Sequence, residues 1–98
     1  LKVGQLLSNE PGYYVKDKFG IRLENLVIVQ NCVSNDKEFF EFETVSLCHF
    51  ERNLINKNLL DKDEIMWINK YHKFVYLNLK VLLNTKEKQW LKRKTEKI

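Results

Sequence analysis

Residues 8–25, SNEPGYYVKDKFGIRLEN, set one glutamate directly before Pro-Gly and a second, fourteen residues later, inside an apolar run. Residues 3–10 and 19–29 alternate or run apolar with Val, Ile and Leu, and the polar loop YYVKDKFG between them predicts a β-hairpin centred near Asp17. If the arms pair about that residue, facing positions sum to 34: Leu7 meets Val27, Leu6 meets Ile28, and Glu10 meets Glu24. The apolar partners match, which supports the register. Pro11-Gly12 is also a place for a bulge that would shift the pairing by one residue, because proline cannot donate to a ladder.

Directly opposed strand residues hold their Cβ atoms about 4.5–5.5 Å apart, and like charges there destabilise the pair. Arg22 falls on the same face as Glu24, and its cross-strand partner is Gly12, which leaves the guanidinium room. Leu6, Leu26 and Ile28 share that face, so the carboxylates are expected partly out of water. Burying two anions demands protonation, a cationic neighbour such as Arg22, or a bound cation. The plain alternative is a surface pair in which Arg22 neutralises one glutamate and the other meets solvent. Spacing alone leaves the two readings balanced, because two carboxylates do not close a coordination shell.

Outward from the hairpin, residues 31–38 (NCVSNDKE) are a polar connection, and residues 39–50 (FFEFETVSLCHF) a third, longer strand. The short NLIN segment, 53–56, is expected to extend the sheet. The period then changes: Ile65, Ile68, Tyr71 or His72, Val75, Leu79 and Leu82 recur at helical spacing, which predicts a helix over Lys62–Leu83. Asp61 with Glu64 makes a capping-box start. A second, short helix follows Asn84 with Trp90 and Leu91 on one side. The fold class is therefore α+β, with strands over 1–56 and a helical extension over 57–98 packed on the same unit.

With 98 residues and 44% hydrophobic content, the chain suffices for one core and not for two. It opens on Leu1 and its only methionine is Met66, so it is expected to be part of a longer protein. No stretch approaches the roughly 18 apolar residues of a membrane span, and a soluble, cytoplasmic protein is expected. Cys32 and Cys48 lack ligand spacing and read as reduced thiols. Residues 1–84 hold eleven basic and eleven acidic side chains, whereas residues 85–98 hold six and two, so the excess charge of +4 is a C-terminal feature. Lysines at a helix C-terminus suit the helix dipole, and without a stacking platform no nucleic-acid partner is expected. His72 reads as a packed side chain, and His49 beside Cys48 and Glu51 lacks a further ligand at metal spacing. Trp67, Tyr71, Phe74 and Trp90 read as core, or as the contact through which a homodimer of the parent closes.

The two glutamate segments resemble the last two metal-ligand motifs of the M24 pita-bread metallopeptidases, an E-P-G-x-Y strand and a G-[IV]-R-[IL]-E strand. FE at Phe42-Glu43, FERNLIN at 50–56, LLDKDEIMWINKYH at 59–72 and WLKRKTEKI at 90–98 are similar to the C-terminal extension of the eukaryotic-type Xaa-Pro aminopeptidases. Prolidase and methionine aminopeptidase share the first two motifs but lack the W-[IL]-N-x-Y-H helix. The resemblance implies that Glu10 ligates metal and handles the proton of the attacking water, that Glu24 bridges two metals, that Arg22 braces the ligands, and that Tyr14 is an active-site tyrosine. It implies two divalent cations, manganese first with zinc or cobalt as alternatives, and a peptide substrate with proline in second place. The family's two aspartates and its histidines belong to upstream segments and have no counterpart here, so the chain is expected to be inactive alone. His49 and Lys97 stand where relatives carry proline. The competing expectation is a non-catalytic pita-bread relative that serves as a protein-interaction module.

Overall fold

The run NLVIVQNCVS, rich in β-branched side chains, forms the longest strand of the molecule. In the computed structural model, which describes residues 1–98, the strands are β1 (Leu6–Asn9), β2 (Gly12–Val15), β3 (Phe19–Arg22), β4 (Asn25–Ser34) and β5 (Lys37–Thr44). β4 lies between β1 and β5 in one antiparallel sheet, and β2 pairs with β3 in a second. The chain divides into two compact units, Leu1–Ser46 and Leu47–Ile98.

In the first unit the hairpin register is the expected one. Leu6 faces Ile28 and Leu7 faces Val27 in one ladder, while Gly12 faces Arg22 and Val15 faces Phe19 in the other. Every pair sums to 34. The turn centres on Asp17, whose φ of 59° is a left-handed conformation that aspartate tolerates, and Lys18 N donates to Val15 O at 3.0 Å. No bulge arises at Pro11-Gly12.

Three expectations are corrected. Tyr13 and Tyr14, taken for loop, belong to β2, since the turn needs only the residues around Asp17. The polar connection at 31–38 is mostly strand: β4 and β5 run to Ser34 and from Lys37, joined by Asn35-Asp36 at φ 51° and 60°. Two successive positive-φ residues make the two-residue turn that matches strand twist, and Asn and Asp are among the few side chains that adopt it. NLIN adds no strand; a 3-10 turn at Arg52–Leu54 runs into it and another at Lys57–Leu59 follows it, capped by Glu51 and Asn56 through side-chain bonds to Asn53 N and Asn58 N.

The second unit is built on α1 (Lys62–Leu79) and α2 (Thr85–Lys94). α1 begins as expected: Asp61 accepts from Glu64 N at 2.8 Å and Glu64 from Asp61 N at 2.9 Å. Asn84 and Glu87 repeat the device at α2. α1 ends at Leu79, earlier than expected, and passes into a 3-10 turn over Lys80–Leu82. Ile68, Tyr71, His72 and Val75 are its buried stripe, and Tyr71 and Val75 close on Leu91 of α2. Of the aromatic set only Tyr71 is core; Trp67, Phe74 and Trp90 are all close to half exposed. Tyr71 also donates its hydroxyl to Cys48 O at 2.9 Å.

His72 is fully buried and takes the Phe50 N–H on Nε2 at 3.1 Å, a packed role as expected. Burial first, and then the charges of His49 and Arg52, push its pKa below the ordinary value. The folded chain therefore binds fewer protons here than the unfolded chain does. The contribution is fully present above the unfolded imidazole pKa of about 6.5 and is lost as pH falls below it. Urea midpoints of the chain should drop between about pH 7.5 and about pH 5.5, and His72→Gln should flatten that drop. Leu91→Ala should cost about 2–5 kcal/mol in the same assay. Leu82→Ala, at a side chain 78% exposed, should stay within about 0.5 kcal/mol.

Candidate metal centre

Between the two ladders the hairpin is interrupted by one proline. Pro11 has no N–H to give, yet its carbonyl accepts from Leu23 N at 3.0 Å, and Asn9 faces Asn25 on the other side of the break. Pairing is thus in the same register immediately before and after the gap. Glu10 and Glu24 are opposite each other within it, at positions free of ladder hydrogen bonding.

Arg22 and Tyr14 flank this gap. Within β2 and β3 the positions Gly12, Tyr14, Gly20 and Arg22 share one face, because side chains alternate and Gly12 faces Arg22 while Tyr14 faces Gly20. Arg22 donates from Nε to Tyr14 Oη at 2.8 Å. Its Nη1 comes 3.9 Å from Glu10 Oε2. Tyr14 first, and then Glu10 and Glu24, hold the guanidinium pKa above its ordinary value. The sequence-predicted set of Glu10, Tyr14, Arg22 and Glu24 is therefore brought together in one place.

One expectation about its surroundings is corrected. The carboxylates are not withdrawn from water in this chain: the Glu10 side chain is 44% exposed, and the apolar neighbours Leu6 and Leu26 are themselves exposed. The buried face of β4 is the other one, carrying Asn25, Val27 and Val29. Desolvation of the acidic pair would have to come from polypeptide outside these residues.

The donor set is oxygen only, which suits hard divalent cations. It is also incomplete, since no group of three or more His, Cys, Asp or Glu side chains converges to hold a metal. Glu10 and Glu24 fit as part of a centre, not as the whole. The Cys48, His49 and Glu51 combination does not form a site. The Cys48 thiol turns to the His49 carbonyl at 3.6 Å, the His49 and Trp90 rings meet edge to face with centroids 5.4 Å apart, and Glu51 is held by Lys94 at 2.9 Å. Sequence reasoning missed the contact of Tyr14 with Arg22, although the sum of 34 already put Gly20 opposite Tyr14 and Gly12 opposite Arg22.

Residues 38–98 match the family described as the C-terminal region of peptidase M24. The whole chain aligns at 40% identity with a probable Xaa-Pro aminopeptidase P of Coprinopsis cinerea, covering 17% of that protein. At 42% identity, 94% of the chain aligns with Xaa-Pro aminopeptidase 1 of Dictyostelium discoideum, covering 16% of it. Among solved structures, the whole chain superposes with a TM-score of 0.86 and 33% identity on 17% of an X-prolyl aminopeptidase from Caenorhabditis elegans, described as a cytosolic enzyme with a di-nuclear active site. The chain thus spans about one sixth of the length of these proteins.

Because Arg22 and Glu10 meet in solvent rather than in a core, their pairing adds little to the fold. Glu10→Gln should leave the urea unfolding midpoint of the chain unchanged within error. A large shift would show that the pair is a structural strut instead.

Proposed function

This chain belongs to the M24 peptidase family, and from that premise we propose that it supplies two carboxylates, Glu10 and Glu24, to the di-nuclear centre of an Xaa-Pro aminopeptidase. The observation that carries the reading is the unbroken register around Pro11, which leaves two glutamates opposed in a gap of the hairpin with Arg22 beside them. Directly opposed carboxylates repel, and a bound cation would relieve that repulsion beyond what the single guanidinium of Arg22 supplies. The di-nuclear description of the Caenorhabditis elegans relative supports the same reading.

In this proposal Glu10 and Glu24 would help to hold the two cations, and Glu10 would handle the proton of the attacking water. Arg22 holds Glu10 in orientation, and Tyr14 holds Arg22. Two divalent cations, when bound, lower the pKa of water and polarise the scissile carbonyl. The oxygen-only contribution of this chain favours manganese over the softer alternatives zinc and cobalt. The substrate is a peptide with proline in second place, and addition of water across the Xaa–Pro bond releases the first amino acid and a peptide that begins with proline. The remaining ligands come from the longer protein, and cytoplasmic residence is proposed on the strength of the cytosolic relative.

In the full-length protein, Glu10→Gln should lower turnover of an Xaa-Pro peptide by about 10²–10⁴-fold, the range expected for loss of a proton-handling side chain. Glu24→Ala should lower the metal content measured by mass spectrometry as well as the turnover. Wild-type turnover and metal content in both variants would overturn the assignment of Glu10 and Glu24, whereas a full-length wild type that neither binds metal nor turns over the peptide would favour an interaction module.

A further inference from the structure

Tyr14 lies down on its strand surface instead of standing away from it. A Cβ built on Gly12 would fall 2.5 Å from the Tyr14 hydroxyl oxygen and 2.8 Å from Cζ. One built on Gly20 would fall 2.6 Å from Tyr14 Cδ1 and 3.1 Å from Cε1. Real Cβ contacts are essentially never under 3.0 Å, and each glycine's nearest ring atom is, so the ring fills space that any other residue type at either position would claim. Gly12 precedes Tyr14 on β2 and Gly20 is its partner on β3, which makes a floor of two bare backbone positions across both strands. Neither glycine has the positive φ that would call for one on conformational grounds; Gly4 is the only glycine that does. Both serve by close approach instead.

With the ring down, the hydroxyl is in place to accept from Arg22 Nε at 2.8 Å. A guanidinium fixed at Nε still has two terminal nitrogens to offer, and Nη1 is the one turned toward Glu10. Without that anchor Arg22 is a long, exposed side chain whose rotamer freedom must be given up to meet the carboxylate. We propose that Gly12 and Gly20 are positioning residues: they form the seat of the Tyr14 ring, and through Tyr14 and Arg22 they fix the direction of the Glu10 carboxylate. The consequence for metal rests on the ligand role of Glu10 proposed above, whereas the seat itself does not.

An added methyl at Gly20 has a cheap escape, since Tyr14 is 61% exposed and its ring can swing into solvent without moving backbone. The fold should survive while the Arg22 anchor is lost. Partners that orient a metal-ligating carboxylate typically change metal affinity by about 10–100-fold when removed.

The test uses the full-length protein, stripped of metal and titrated with Mn2+ alone, in four forms: wild type, Gly20→Ala, Tyr14→Phe, and the double variant. Gly20→Ala should weaken Mn2+ binding by about tenfold, and Tyr14→Phe by a similar factor. The double variant should be no weaker than Tyr14→Phe, because both changes break one connection. The thermal midpoint of Gly20→Ala should match wild type, and its crystal structure should show the ring displaced from Arg22. Additive losses, wild-type affinity in Gly20→Ala, or a ring still bonded to Arg22 would each overturn the proposal. Failure of the wild type to take up Mn2+ would instead overturn the ligand assignment, and the ring position in the Gly20→Ala crystal would still decide the seat.

Discussion

A one-residue slip in an antiparallel pair turns every side chain to the opposite face, so a hairpin register is a constraint that holds everywhere or nowhere. In this chain it is pinned at two distant points. The turn at Asp17 fixes β2 against β3, and the apolar matches Leu6 with Ile28 and Leu7 with Val27 fix β1 against β4. Between them stands Pro11, which interrupts the ladder but keeps its carbonyl in use with Leu23 N at 3.0 Å. The interruption removes hydrogen bonds without removing alignment. Bonding alternates along the ladder, with Leu23 N on Pro11 O and Val29 N on Gln5 O, so the kept register makes Glu10 and Glu24 a non-hydrogen-bonded pair, the kind whose side chains come closest.

The neighbourhood of that gap follows from the same alignment. Arg22 faces Gly12 and Tyr14 faces Gly20, so each large side chain of the face is opposite a bare position. Large against small lets the tyrosine ring lie flat and the guanidinium reach along the strand to Glu10. None of these groups is buried in the chain itself, which marks them as poor contributors to its stability. The helical unit shows the opposite distribution. Tyr71, His72, Val75 and Leu91 are buried, with Tyr71, Val75 and Leu91 packed in one cluster, and they account for folding.

Much of this was legible in the residues. The hairpin centre at Asp17, the sum of 34, and the capping box at Asp61 and Glu64 all rest on local rules that tertiary context did not override. The failures have physical causes as well. The turn residues Asn35 and Asp36 sit in a polar stretch that reads as loop, yet two positive φ values compress that loop to two residues and free its flanks for strand. The segment after β5 has strand-like composition but takes 3-10 turns, because Glu51 and Asn56 cap the backbone locally. Exposure was the least legible quantity. Leu6, Leu26, Phe39 and Phe42 have the composition of a covered face, and a sequence cannot say whether the cover lies within the same chain. The expected burial of Glu10 failed for that reason, while its alignment with Glu24 did not.

If the register around Pro11 makes Glu10 and Glu24 a shared metal site, as proposed, metal must be found between them. Anomalous diffraction from crystals of the full-length protein soaked in Mn2+ tests it most directly. Two anomalous peaks are expected in the gap beside Pro11, within reach of Glu10 and Glu24. Peaks at any other location, or well-diffracting soaked crystals with none in that gap, would contradict it.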